Sequence, residues 1–280
     1  MKRLYFLAIA VICGSLILTG CQSTTAGGAA STSRKQLLLI SSAEVNQGAE
    51  AAYSKELNNA RAAKALNTNT AYTKRVRTIS SRLIAQVGFF RPEAKNWKWE
   101  INVFTNEAVN AYCMPGGKIG IYTGMISKLN LTDDELAAII GHEIAHALRE
   151  HSREKISQQL ATDSVVSIGS QLAGMGAVGT HATGMASQLM LTLPFSRSME
   201  KEADVMGMEL MARAAYNPNA AISLWKKMQN LGERSKPEFF STHPSDTSRL
   251  ANLERELPKV MPLYQEAARR APKARNAKQK

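Results

Sequence analysis

The stretch from Thr132 to His151, TDDELAAIIGHEIAHALREH, constrains this chain more than any other. Thr132, followed three residues later by Glu135, has the form of a capping box, in which each side chain satisfies the other's free backbone N–H. Leu136, Ile139, Ile140, Ile144, Ala147 and Leu148 then recur at helical spacing, which predicts a helix through the whole stretch. On that helix His142 and His146 stand one turn apart on one face, so two imidazoles converge on a point, with Glu143 beside them. Two neutral nitrogen donors and an adjacent carboxylate are what a catalytic zinc ion with an open coordination position requires. A solvated polar patch would set the histidines opposite the apolar stripe. Here they adjoin it, and they are expected to face a cleft.

A third ligand has to come from elsewhere in the chain. The metzincin pattern would place glycine at 149 and histidine at 152, where this chain has Arg149 and Ser152, so that class is excluded. His151 lies about 140° around the axis from His146 and reads as a surface or helix-end residue. His181, in a Gly-rich stretch, carries no ligand signal. The segment FSRSMEKEADVMG is better: Glu200 and Asp204 are one turn apart on a helix, so Glu200 can bind a metal while Asp204 orients a histidine from behind. Glu202 points about 200° away from Glu200 on that helix. Arg197 is a candidate orienter, with a salt bridge to a nearby glutamate as its other reading.

The remaining sequence frames this centre. Residues 36–86 read as two helices broken around LNTNT. Alternation at Trp97, Trp99, Ile101 and Val103, then Val109, Ala111 and Cys113, then Ile119 and Ile121, suggests three short strands in a β-meander, with a Pro-Gly-Gly turn at 115–117. The Gly-rich stretch 163–194 reads as a cover over the cleft, its Met175, Met185 and Met190 as packing residues. At the start, MKRLYFLAIAVICGSLILTGC has a basic end, an apolar run and LTGC, which resembles a bacterial lipobox. That resemblance implies a signal peptide at 1–20 and lipidation at Cys21; Gln22 after it implies the outer membrane, facing the periplasm. Residues 21–33, small and polar, read as a flexible tether, and 259–280 as a basic tail. Cys13 leaves with the leader, so Cys113 has no disulfide partner and reads as a buried thiol. The formal net charge of +12 favours anionic surfaces, but no nucleic-acid module accompanies it.

Four segments in order, NAYCMPGGKIGIYTG, GHEIAHALREHSRE, SMEKEADVMG and STHPSDTSRL, resemble the HtpX/Oma/CAAX-protease group of zinc metallopeptidases, and within it LoiP/YcaL-like periplasmic lipoproteins. The group often has a longer apolar residue where this chain has Cys113. The resemblance implies an α+β gluzincin-type domain over residues 34–258, mostly helical with a small sheet. It implies one zinc ion on His142, His146 and Glu200, Glu143 as general base and Asp204 as the partner behind a histidine. It also implies an endopeptidase acting on unfolded or misassembled outer-membrane proteins, with envelope assembly machinery as a further partner. His243 has three readings: oxyanion stabiliser, occupant of the open zinc position, or helix cap. Substrate is expected along the edge strand 109–114, at Asn110, Ala111, Tyr112 and Cys113. A chaperone or assembly factor with a latent zinc site is the competing function, and a cell-wall amidase a weaker one.

Overall fold

In the computed structural model the described residues are 21–30, 34–172, 193–232, 237–244 and 247–271. The expected signal peptide, His181, the three methionines of the Gly-rich stretch and the last nine residues lie outside them. The short strands β1 (Cys21–Gln22) and β2 (Gln36–Leu37) pair antiparallel. Helices α1 (Ser42–Ala62) and α2 (Thr70–Ile84) follow, broken where expected, with Lys64 and Asn67 at positive φ between them. Two 3-10 turns, Val87–Phe89 and Pro92–Asn96, lead into the sheet.

The sheet holds β3 (Glu100–Phe104), β4 (Ala111–Met114) and β5 (Lys118–Tyr122) in the order β3-β5-β4. β3 runs parallel to β5 and β4 antiparallel to it, so the expected meander is not formed. Burial explains the order: Lys118 through Ile121 are all buried, as a middle strand must be, whereas alternation alone cannot rank strands across a sheet. Helix α1 covers one face, where Tyr53, Phe104 and Met114 share a small core, and the Tyr53 hydroxyl donates to the Ile119 carbonyl at 3.1 Å. The larger core lies on the other face, built from β5, α2 and the helices that follow.

Those helices are α3 (Thr123–Lys128), α4 (Asp133–Leu148), α5 (His151–Leu172), α6 (Arg197–Arg213), α7 (Asn219–Gly232), α8 (Phe239–Thr242) and α9 (Arg249–Arg270). The chain is mostly helical with a small sheet, as expected. Helix α4 carries the capping box at Thr132 and Glu135 and is buried on every side from Glu135 to Leu148, so it is the central element. It crosses α6 at Gly141 and Gly207. A methyl on Gly207 would stand 2.7 Å from the His142 backbone nitrogen, and one on Gly141 2.9 Å from the Gly207 carbonyl oxygen. Only hydrogens let the two backbones meet there.

Both ends of the domain differ from expectation. The stretch read as a tether is packed: the Ala26 N–H donates to the Phe90 carbonyl at 2.8 Å, and Thr25 and Ala30 are buried. The tail read from 259 is helical to Arg270, through Pro258 and Pro262. Each internal proline costs a helix about 3 kcal/mol. Packing of Leu253 and Val260, with Leu257 and Leu263 beside them, against the main core holds the helix through both. Among the described residues no helix is long and apolar enough to cross a membrane.

Candidate metal centre

Helix α4 presents His142, Glu143 and His146, α6 presents Glu200 and Asp204, and the turn after α8 presents His243. One donor atom from each of His142, His146, Glu200 and His243 lies within 4.8 Å of all the others, and all four residues are buried. His142 Nε2 and His146 Nε2 are 3.1 Å apart. Glu200 Oε1 is 3.3 Å from His146 Nε2, and Oε2 is 3.6 Å from His142 Nε2. Ligands at about 2.1 Å from a tetrahedral zinc stand roughly 3.4 Å apart, so these spacings suit one small cation. Glu143 Oε1, Glu200 Oε1 and His243 Nε2 are buried with no hydrogen-bond partner among the described residues. Buried polar atoms are rarely left so, and their convergence on one point supports a metal there.

The charges around the point are shaped by burial. Burial, then the neighbouring Glu200, push the Glu143 carboxyl well up, against the backbone N–H of Cys113, which donates to it. Burial also raises Glu200, opposed by His142 and Arg249. His146 and His243 are driven well down, first by burial and then by His142, so both are neutral and able to donate a lone pair. Burial would raise Asp204, but Arg249 and His142 outweigh it and hold the carboxyl below its ordinary value. Asp204 Oδ1 lies 2.9 Å from His142 Nδ1, though off the line of an ideal hydrogen bond.

Arg197, the candidate orienter, does not fill that role. It is exposed, at the rim of an open cavity whose lining also includes Glu200, Asp204 and Arg249, and among the described residues no ion pair joins it to them. The orienter is Arg249, buried at the start of α9, whose Nε donates to Asp204 Oδ2 at 2.6 Å and whose Nη2 donates to Glu200 Oε2. Its guanidinium also lies over the Trp225 ring at 3.8 Å. Its only sequence signal was its place in STHPSDTSRL, after the histidine.

His151 is the other correction. It is fully buried, not at the surface, and its Nδ1 lies 2.9 Å from His146 Nδ1. The helix-end alternative holds, since His151 opens α5; the surface alternative fails because α4 stops at Leu148 and Glu150 takes φ +50°, which turns the chain and returns His151 to the histidine face. Glu202, turned away from Glu200 as expected, is also buried and accepts from His151 Nε2 at 3.0 Å.

The centre is closed. Phe195 stacks on His146 at 4.0 Å between centroids, and its N–H donates to the Thr242 carbonyl at 2.8 Å. His243 stacks on Phe239 at 4.0 Å and 8°, its Nε2 3.4 Å from Glu143 Oε1. Strand β4 borders Glu143 as the sheet's edge. The Tyr122 N–H donates to the Asn110 carbonyl, so by alternation Ala111 and Cys113 turn away from β5; the Ala111 N–H donates to Asn110 Oδ1 at 2.9 Å and the Cys113 N–H to Glu143, which leaves their carbonyls facing the free side. Three of the four residues expected to meet substrate have occupied side chains: Asn110 donates to Glu238, the Tyr112 hydroxyl donates to Glu56 at 2.6 Å, and Cys113 is buried.

The family model described as peptidase family M48 matches residues 70–257. The mitochondrial metalloendopeptidase OMA1 of Schizosaccharomyces pombe is 36% identical over 68% of this chain and 54% of its own length. The metalloprotease LoiP of Escherichia coli is 27% identical over 85% of this chain and 90% of its own, and the beta-barrel assembly-enhancing protease of Yersinia pestis 25% over 68% and 40%. The chain thus spans about half of the fission-yeast relative and nearly all of the bacterial metalloprotease.

Proposed function

The chain belongs to peptidase family M48, and from that premise we propose that it is a zinc-dependent endopeptidase of the Gram-negative envelope, held by a lipid at Cys21 to the outer membrane and acting on unfolded or misassembled envelope proteins. The observation that carries this reading is Glu143: a carboxylate buried beside the His142, His146 and Glu200 donors, with one oxygen unpartnered. A site built only to hold a metal needs no such base. In this reading His142, His146 and Glu200 hold the ion, and the imidazole and carboxylate donors suit zinc. Zinc, when bound, supplies Lewis acidity that polarises a peptide carbonyl and acidifies water.

Glu143 takes the proton from the attacking water and delivers it to the departing amine. Asp204, itself tied to Arg249, keeps His142 turned to the ion. An extended peptide lies along β4, using the outward carbonyls of Ala111 and Cys113, since their N–H groups are held by Asn110 and Glu143; the side chains of Asn110 and Tyr112 shape that edge without reaching the substrate. Backbone pairing of this kind reads an unfolded conformation more than a sequence. His243 takes the position the substrate carbonyl would need, so the resting site is shut and opens when the Thr242–His243 turn withdraws. Its neutral, unpartnered Nε2 inside the donor cluster supports this over the oxyanion reading.

The test is cleavage of an unfolded protein by the full chain, with chelator and then with zinc restored. Activity lost and regained supports the reading. Chelator-insensitive cleavage would contradict it. Membrane fractionation of Cys21→Ser tests the anchor, which predicts release of the variant into the soluble periplasmic fraction.

A further inference from the structure

We propose that His151 and Glu202, held in place by Arg34 and Arg149, form a relay that positions His146, and that Ser23, Thr25, Arg34 and Gln36 of the N-terminal region thereby support the metal centre. The proposal rests on the metal-binding reading above and extends it to residues that no ligand motif contains.

The geometry gives the relay a direction. His146 turns Nε2 to His142 and Glu200, so its lone pair must be on Nε2 and its proton on Nδ1. That Nδ1 lies 2.9 Å from His151 Nδ1, with both rings buried. Two ring nitrogens at this distance share one hydrogen. His146 therefore donates and His151 Nδ1 accepts, which places the His151 proton on Nε2. Glu202 Oε2, 3.0 Å from Nε2, is an acceptor only and requires that placement. With His151 in the opposite tautomer, its Nδ1 hydrogen would drive the His146 proton onto Nε2 and remove a ligand. The carboxylate at the far end thus fixes both tautomers in turn.

Glu202 is in turn held by two arginines. Arg149, fully buried, donates from Nη2 at 3.1 Å, and Arg34 donates from Nε to Oε1 at 2.9 Å and from Nη2 to Oε2 at 3.1 Å. The rest of Arg149 is directed at the N-terminal segment: Nη1 to Ser23 Oγ at 3.0 Å and Thr25 Oγ1 at 3.2 Å, Nη2 to the Arg34 carbonyl at 2.9 Å. Gln36 donates to the Arg149 carbonyl and to Glu154, and Glu154 also accepts from Arg34. Two arginines face two glutamates here, so the cluster is neutral. The segment nearest the expected lipid anchor is built into the charge balance behind one metal ligand.

The competing reading is an ion cluster that stabilises the fold and leaves the metal untouched. Zinc affinity, measured by chelator competition on the full chain, separates the two. His151→Phe, which keeps a ring and removes the relay, is expected to weaken zinc about 10- to 100-fold. Arg34→Ala, two hydrogen bonds further out, is expected to weaken it a few-fold, about the low end of that range, and Arg34→Lys to restore part of the loss. Arg34→Ala also strips buried Glu154 of its cation, so its metal-free melting temperature should fall, and zinc affinity is read well below that temperature, where the variant is folded. A direct reading needs no variant: in ¹⁵N-histidine spectra of the zinc-loaded wild type, His146 should carry its proton on Nδ1 and His151 on Nε2. Wild-type zinc affinity in a folded His151→Phe, or a His151 proton on Nδ1, would overturn the relay alone. A wild type that binds no zinc would overturn the peptidase reading with it.

Discussion

The two histidines of α4 are buttressed from opposite ends of the chain. Behind His142 stands Asp204 in direct contact, tied to Arg249 from the C-terminal helix. Behind His146 stands His151, then Glu202, tied to Arg149 and to Arg34 from the N-terminal segment. Each arm ends in a carboxylate gripped by arginine, but the first is short and sealed while the second is long and reaches a half-exposed cation: Arg34 is 34% exposed and Arg249 3%. The difference teaches where the centre is rigid and where it can be modulated. Disturbing the short arm strands the carboxylates of Glu200 and Asp204 beside the metal centre, whereas in the long one Glu202 keeps Arg149 when Arg34 is removed, and the charge left without a cation is Glu154, further from the centre.

The largest effect should come from the short arm. Arg249→Met leaves Glu200 and Asp204 buried without their cation, and loss of one partner from a buried ion cluster costs about 3–5 kcal/mol. Urea unfolding of the metal-free protein should show a loss of that size, partly recovered with zinc. A loss near that of a surface change would erase the contrast between the arms. Next comes the crossing that sets the ligand spacing. Gly207→Ala puts a methyl 2.7 Å from the His142 nitrogen, so overpacking of about 1–3 kcal/mol and weaker zinc binding are expected. Gly27→Ala, where nothing lies within 4 Å, is the matched control and should be silent.

A smaller effect sharpens the long arm through pH. Burial alone would raise Glu202, but hydrogen bonds from His151 and Arg34 and the Arg149 charge lower its pKa from 4.5 to about 2. A depressed carboxylate stabilises the fold above its unfolded pKa and stops doing so as pH falls through the folded one. Wild type should therefore exceed Glu202→Gln in urea midpoint by a constant margin above about pH 4.5, and the margin should close toward pH 2. A margin independent of pH would show that Glu202 is not held as a charged group. The smallest effect belongs to Arg197: exposed and outside both arms, Arg197→Ala should leave zinc affinity within about twofold, the ordinary range for a surface change.

How much of this the sequence disclosed follows the same division. Helix α4, its capping box, the histidine pair and the Glu200–Asp204 pair all lie within single helices, where a spacing of four residues states a geometry outright. Arg249, His151 and the Glu202 cluster were not legible, because each depends on an irregular backbone or on the meeting of distant chain ends. Glu150 at positive φ is the clearest case: one residue outside the helical region moved His151 from the predicted surface to the core. The strand order failed for a related reason, since alternation gives the faces of a strand and not its neighbours. The packed 22–30 stretch is small and polar like a linker, and hydrogen bonds to Arg149, Phe90, Gln36 and Glu209 that spacing does not show give it a place.

The central claim is that Glu143 works as the base of a metal-dependent peptidase. Its most direct test is cleavage of an unfolded protein by the wild-type full chain beside Glu143→Gln, both carrying equal zinc. Cleavage by the wild type with loss of about 10²- to 10⁴-fold in the variant is the predicted result. Equal cleavage by both would remove Glu143 from the chemistry. Zinc bound by both with no cleavage by either, even in a His243→Ala background that opens the site, would contradict the enzyme and favour an assembly factor with a latent zinc site.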